Sequence, residues 1–486
     1  MKSKYLNKSG RNYPHIIAGN DGHKTKIILL ACSLGLAVFF SGCKKYLDLD
    51  PPKTEILDAS LFTSNSNADM AIAGLYVDMS NEPAFTYQLT TSAGFLSGDL
   101  NYYTTQNDAY IKNNVLPTDA GIESMWAGYY KIIYDCNSII KNTEASTGMT
   151  DAYKKELTGE AKFIRAYAHF NLINFFGDVP LITSTNVAET AVMPRTPAAD
   201  VYAQIIDDLN DAQTLLPDDY SVAKGARSRV NKWAAKALLA RVYLYRKEWA
   251  KAEAQASALV NNNNLYSLLP TANISGIFVK NSREAIFQLD RAGNYAYTAE
   301  GSAFLTYAAY GIIQYPLAPS LLRSFEKGDM RKTNWIFNRG KDSTAYKYKG
   351  SSAAAPPTPE SLVVLRLAEQ YLIRAEARAQ QNNLTGAQED INTIRNRAGL
   401  ANTSATDKIA LLQAVEQERR IELFCELGHR WFDLKRWPSL INPASKTRAD
   451  DVLGDLKPTW KSTAQLLPIP SNQIIKNPRL IQNPGY

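Results

Sequence analysis

Five carboxylates stand close together near the C-terminal end of the chain: Glu416, Glu418, Glu422, Glu426 and Asp433. A pair of facing carboxyls is the minimal equipment for acid–base cleavage of a glycosidic bond. Their company argues for another role. Arg419, Arg420, Arg430, Lys435 and Arg436 are interleaved among them, and opposite charges three or four residues apart on a helix form structural pairs. The chain has only four histidines, His15, His23, His169 and His429. His169, at helical spacing from Arg165 and next to Phe170, reads as a residue flanking a core. No H-E-x-x-H, paired C-x-x-C, G-x-S-x-G, P-loop or G-x-G-x-x-G pattern occurs. The expectation is a protein with no catalytic residues, no metal and no cofactor.

A different chemistry is better represented. The chain carries 27 tyrosines and 7 tryptophans, and a flat ring with amide or carboxylate neighbours suits a sugar, whose apolar C–H face is ringed by hydroxyls. Tyrosine is rigid, amphipathic and loses little side-chain entropy when ordered. One such mixture is Asp99, Asn101, Tyr102 and Tyr103, followed by Gln106, Asn107, Asp108 and Tyr110. A second holds Asn294, Tyr295, Tyr297, Tyr307, Tyr310 and Trp335. The candidate ligand-binding residues are therefore Asp99, Asn101, Tyr102, Tyr103, Tyr110, Tyr295, Tyr297, Tyr307, Tyr310 and Trp335. Any one of these rings could instead pack the lobe that carries it.

The elements that must position these residues are mostly helical. Val201, Tyr202, Ile205, Ile206, Leu209, Ala212, Leu215 and Leu216 recur at helical spacing and end at Pro217. Residues 233–260 read as two helices joined near Lys247, with Ala240, Tyr243, Trp249 and Ala252 at the packing positions of a tetratricopeptide-type hairpin. Residues 365–398 repeat the pattern, since Ala375 and Ala387 are spaced as Ala240 and Ala252 are. Small residues at those offsets let helices approach closely and stack. Ordinary alanine-rich helices would show the same composition. Between the helical blocks lie aromatic-rich irregular stretches at about 85–121 and 271–357, the second with β-like runs such as Ala285 to Leu289 and a Pro-rich loop before a helix expected near Ser361. Long loops of this kind usually carry function.

The charge balance, 54 Lys+Arg against 47 Asp+Glu or +7, is concentrated at the start. Residues 1–42 carry a net +5, which leaves about +2 for the rest, so a nucleic-acid partner is not expected. Lys24 and Lys26 precede an apolar run, residues 27–40, which would rise only about 21 Å as a helix, too short for a bilayer core of about 30 Å. A secretory signal fits better, and Ser41-Gly42-Cys43 looks like a bacterial lipobox. The expected organisation is a signal peptide at 1–42, a tether at 43–54 with lipid on Cys43, and one domain over 55–486. Cys136 and Cys425 would remain, as two buried thiols or one long-range disulfide.

Residues 418–438, ERRIELFCELGHRWFDLKRWP, resemble the C-terminal helix signature of the SusD/RagB family of outer-membrane nutrient-binding lipoproteins. CKKYLDLDPPKT from Cys43, WAGYYKIIYDCNSII from Trp126, GEAKFIRAYAHFNLINFFGDVPLI from Gly159, IRNRAGL from Ile394 and LLPIPSNQIIKNPRLIQNPGY from Leu466 agree in the same order. One departure is Cys425-Glu-Leu-Gly428-His429, which should affect packing rather than function. The resemblance implies a mainly α, SusD-like fold. Four tetratricopeptide-like hairpins, within about 125–265 and 361–437, would form the scaffold, and an irregular lobe with minor β structure would bind the ligand. It also implies a surface-exposed, lipid-anchored outer-membrane protein that delivers a glycan to a SusC-like TonB-dependent β-barrel transporter. Peptides or other oligomeric nutrients are an alternative cargo, and a surface glycosidase a more distant one. No ligand-binding residue carries over by motif.

Overall fold

A computed structural model describes residues 59–293 and 295–486. The expected signal peptide, the tether and Cys43 lie outside the described residues, as does Asn294. The first helix is α1 (Asn65–Asn81), followed by α2 (Tyr87–Leu96), α3 (Ala120–Ala145), α4 (Asp151–Phe176), α5 (Ala198–Leu215), α6 (Lys232–Tyr245) and α7 (Trp249–Val260). Strand β1 (Ala285–Leu289) and helix α8 (Ala299–Ala309) come next, then the hairpin β2 (Ile336–Arg339) and β3 (Asp342–Ala345). Strand β4 (Leu362–Arg366) runs directly into α9 (Leu367–Gln380), and the longer helices α10 (Leu384–Arg397), α11 (Lys408–Glu422), α12 (His429–Arg436) and α13 (Arg448–Leu456) follow, with shorter helices among and after them.

The architecture is mainly α, as the sequence predicts. Helices α3, α4, α5, α6, α7, α9, α10 and α11 form an eight-helix stack in which each packs on the next. The starts are set by local chemistry. The Asp119 carboxylate accepts from Gly121 N at 2.8 Å and Ile122 N at 3.2 Å to cap α3, and Asn231 does the same for Trp233 N and Ala234 N at the head of α6. The repeat seen in the sequence is a true structural repeat. Ala240, Ala252, Ala375 and Ala387 are all fully buried, and the two hairpins turn through Lys247 (φ 61°) and Asn382 (φ 64°), each seven residues after the first alanine. The α4/α5 contact depends on Gly159, where a Cβ would lie 2.9 Å from Leu216 Cγ.

Buried arginine–carboxylate clamps tie neighbouring helices together. Arg165 on α4 donates to both oxygens of Asp208 on α5 (2.8 and 2.6 Å), Arg241 on α6 to Glu369 on α9 (2.6 and 2.7 Å), and Arg374 on α9 to Asp390 on α10 (2.9 and 2.6 Å). Such bidentate pairs fix orientation as well as adding energy. His169 is wholly buried in α4, with Nδ1 3.1 Å from the Arg165 carbonyl. Burial, with the Arg165 charge behind it, pushes its pKa down to about 3. Cys136 is buried, Cys425 is half-buried, and both are free thiols.

The stretches read as irregular contain ordered elements. Helix α2 lies within 85–121, and α8 and the β2–β3 hairpin lie within 271–357. The helix expected near Ser361 begins at Leu367, because Leu362 to Arg366, rich in β-branched residues, instead pairs antiparallel with β1 (Leu289 opposite Leu362, Ala285 opposite Arg366). The family-atypical run at 425–428 is a left-handed turn, with Cys425 at φ 51°, Leu427 at 41° and Gly428 at 84°. It lies between the end of α11 and the start of α12, with Gly428 as the residue before the first turn of α12.

The charged C-terminal helices hold this lobe to the stack. Glu422 accepts from Arg331 (3.0 Å), from Arg366 (2.5 Å) and from Arg397. Glu426 accepts from Arg366 (2.7 and 2.9 Å) and from Lys347, and Glu284 from Arg397 (2.9 Å) and Arg366 (3.2 Å). All of these side chains are buried. Two of the five carboxylates that could have suggested hydrolysis, Glu422 and Glu426, are thus engaged in buried ion pairs.

Candidate functional site

The two aromatic stretches are brought together by backbone pairing. Asn101 N donates to the Pro316 carbonyl at 2.8 Å, Tyr103 N to that of Gln314 at 3.2 Å, and Ala318 N to that of Asp99 at 2.8 Å. This antiparallel zipper, 99–103 against 314–318, sets Tyr102 beside Tyr315 with ring centroids 5.3 Å apart. Beneath them, Phe95 of α2 stacks on Tyr315 at 6.0 Å and Phe304 of α8 meets it edge-on at 5.4 Å. Gln314 Nε2 donates to the Tyr102 hydroxyl at 2.7 Å. Burial pushes the Tyr315 phenol well above its usual pKa, and the nearby phenols of Tyr102, Tyr87, Tyr307 and Tyr103 push the same way.

Over that half-buried base stands a rim of exposed rings. Tyr103 is 49% exposed, its centroid 5.0 Å from that of Tyr102, Tyr307 is 47% exposed, and Tyr310 at the end of α8 is 75% exposed. Arg339 donates to the Ala308 carbonyl at 2.7 Å, capping the C-terminal end of α8 where the dipole favours a cation. At the other end of α8, Tyr295 and Tyr297 lie 5.3 Å apart, with the Arg291 guanidinium 4.5 and 4.7 Å from their ring centroids. Thr298 caps this end through Gly301 N at 2.9 Å. Helix α8, about 16 Å long, runs between Tyr297 on its N-terminal side and Tyr310 at its C-terminal end.

Three nominated residues are not available to a ligand. Asp99 is buried and held by Arg420, whose Nε and Nη2 donate to it at 3.1 and 2.6 Å. Tyr110 is buried, and its hydroxyl donates to Asp119 at 2.7 Å, joining the cap of α3. Trp335 is fully enclosed against Phe278 and Phe424, and its indole N–H donates to the Ile274 carbonyl at 3.2 Å. Trp335→Phe should consequently cost stability, about 1–3 kcal/mol from the lost volume and the unpaired carbonyl, read as a lower urea midpoint. An unchanged midpoint would contradict the enclosed position.

Asn101, Tyr102, Tyr103, Tyr307 and Tyr310 come together in one group, and Tyr295 and Tyr297 in another. Sequence reasoning missed Tyr87, Gln314 and Tyr315. Tyr87 lies at the edge of the first aromatic stretch, and Gln314-Tyr315 is the same amide–aromatic mixture that drew attention to Asn101-Tyr102. Near this face stands one carboxyl with an acid's pKa, Glu300 in the first turn of α8, pushed up to about 8 by burial. It is buried, with neither oxygen hydrogen-bonded among the described residues. The arrangement can stack and hydrogen-bond a polyhydroxylated ring; it has no acid–base couple at the rim.

Residues 326–486 match the sequence model described as the SusD family, and residues 45–244 match that described as "Starch-binding associating with outer membrane". The chain is 26% identical over 526 residues to SusD-like protein P2 of Formosa agariphila, covering 95% of this chain and all of that protein. Among solved structures, a SusD-like protein of Bacteroides fragilis superposes with TM-score 0.73 at 22% identity, over 90% of this chain and all of that one. A laminarin-binding SusD-like protein superposes with TM-score 0.69 at 23% identity, over 86% of this chain and 99% of that one. Similarity at these identities establishes the shared fold.

Proposed function

The chain belongs to the SusD/RagB family, and from that membership we propose a non-catalytic protein that binds oligo- or polysaccharide at the tyrosine face above Tyr315. The observation that carries this reading is the exposed rim of Tyr103, Tyr307 and Tyr310 over a base of packed rings, with Asn101 and Gln314 at hand for hydroxyls. Rings held from below keep their orientation, so little entropy is lost when a sugar stacks on them. The starch-binding description of the matching family and the laminarin-binding neighbour support the carbohydrate assignment.

The same reading places the protein at the outer membrane, attached through lipid on Cys43 and handing its cargo to a SusC-like TonB-dependent barrel. The family description, which includes association with the outer membrane, supports this location. Among the described residues no helix is long and apolar enough to cross a membrane. A protein held by a lipid anchor carries nothing across by itself and needs a closed spanning structure as partner.

Calorimetry of the purified protein against a panel of neutral oligosaccharides and oligopeptides tests the assignment. Saturable binding of at least one oligosaccharide is expected, with no new reducing ends after prolonged incubation. Release of reducing ends would overturn the non-catalytic reading, and binding confined to peptides would overturn the carbohydrate one.

A further inference from the structure

A second cleft, of about 440 Å³, opens on the stack far along the chain from the tyrosine face, between the C-terminal end of α4, helix α12 and residues 462–466. Its size is ordinary for a small ligand. Lys435, Tyr202, Tyr245, Asn174, Thr463 and Gln465 line it. Lys435 is the unusual member. Its ammonium donates to the Asn174 carbonyl and lies 5.1 Å from the Trp431 ring centroid and 5.5 Å from that of Phe432. No carboxylate among the described residues offsets it, and burial alone pushes its pKa down to about 7. The adjacent Arg436 is the opposite case, held by both oxygens of Glu376 at 2.6 Å and by Asp433 at 2.8 Å.

A half-dry ammonium without a counter-charge is costly, and the cost is recovered when an anion enters. The walls say which anion. Tyr202 and Tyr245 offer phenol faces and hydroxyls, and the Tyr245 hydroxyl is buried with no partner. Thr463 is exposed at the mouth with its hydroxyl, whereas the Gln465 amide is already engaged, donating to Asp450 at 3.3 Å and accepting from Thr447 at 3.0 Å. Arg436 also lines the cleft but is already paired, so Lys435 is its one cation without a counter-charge among the described residues; with hydroxyl and aromatic neighbours it matches a single carboxylate on a polyhydroxylated ring, whereas a phosphate calls for several donors carrying charge. We propose that this cleft binds an acidic sugar, a uronate, with Lys435 pairing its carboxylate. The inference rests on the carbohydrate reading above but uses a different site.

The test is calorimetry of the full chain in detergent with D-glucuronate, D-glucose and acetate as probes. Glucuronate should bind saturably, with glucose and acetate each weaker by about tenfold or more, because each lacks one half of the recognition. Lys435→Met should weaken glucuronate at least about tenfold while leaving the melting temperature unchanged or raised, since a buried unpaired charge is removed. If that variant does not fold, Thr463→Trp, which fills the mouth from an exposed position, decides the matter by the same loss. No saturable glucuronate binding, full affinity in the folded Lys435→Met or in Thr463→Trp, or acetate binding as tightly as glucuronate would each overturn the proposal. Tyr103→Ala/Tyr307→Ala should keep its glucuronate affinity. Loss there instead would move the acidic sugar to the tyrosine face and overturn the second site while sparing the first.

Discussion

Glu422→Ala should yield protein that is barely folded at 25 °C, or not at all. Glu422 is completely buried and accepts from Arg331, Arg366 and Arg397, which arrive from the short helix Met330–Trp335, the end of β4 and the end of α10. Removing it leaves three buried guanidiniums sharing the remaining carboxylates. Breaking one buried pair costs about 3–5 kcal/mol, against a total stability of about 5–15 kcal/mol for a typical fold. Glu422→Gln keeps the shape and removes the charge, and should still lower the urea midpoint severely. Glu248→Ala, which breaks the exposed pair with Lys251 at 2.7 Å, should cost about 0–1 kcal/mol. A small loss for Glu422→Gln would mean that the network does not hold the lobe to the stack.

The same residue sets an acid limit. Burial alone would raise its pKa, but Arg397, Arg366, Arg331 and Lys347 outweigh burial and hold the carboxyl well below the usual range. A depressed folded pKa means that the stabilisation is complete above the unfolded value of about 4.3 and is lost as pH falls through the folded one. The difference in stability between the native protein and Glu422→Gln should accordingly shrink as the pH is lowered below about 4.

Tyr103→Ala/Tyr307→Ala should reduce oligosaccharide affinity about a hundredfold, to near the limit of calorimetric detection. Each exposed ring contributes about 1–1.5 kcal/mol of stacking and burial to a bound sugar. Among the described residues neither ring makes a hydrogen bond through its side chain, so the melting temperature should hold within the small range of ordinary surface changes. Tyr102→Ala is the informative contrast. Its hydroxyl accepts from Gln314 and its ring packs on Phe95 and Tyr315, so it should lose stability together with affinity. Full affinity in the double variant would place the glycan elsewhere, with Tyr295 and Tyr297 at the other end of α8 the next rings to replace.

Periodicity and residue size were enough to read the helical stack. The alanines at 240, 252, 375 and 387 are all fully buried where the paired helices meet, and that spacing is local to each hairpin. Pairing of the carboxylates at 416–433 was legible for a similar reason, since alternating charge on one helix names its own partners in kind. Asp433 does pair with Arg436 three residues on, but the partners of Glu422 are distant: Arg331 and Arg366 stand 91 and 56 residues away, separations that no helical spacing encodes.

The ligand face divides along the same line. Composition identified tyrosines with amides as sugar-binding chemistry, and position in long irregular stretches identified where to look. It could not tell Tyr103 from Tyr110 or Tyr307 from Trp335, because every one of them is an aromatic residue in an aromatic-rich stretch. Exposure is decided by which backbone segments pair, and the zipper of 99–103 on 314–318 joins strands more than 200 residues apart. That contact turns Asp99 inward to Arg420, seats Tyr315 as the base and leaves Tyr103 at the rim. The sequence alone thus determined the helical scaffold, a property of local spacing and residue type, and supplied the tyrosine–amide mixtures from which the proposed site is argued. Only the tertiary structure decided which rings a ligand can reach, because accessibility is a property of what the rest of the chain covers.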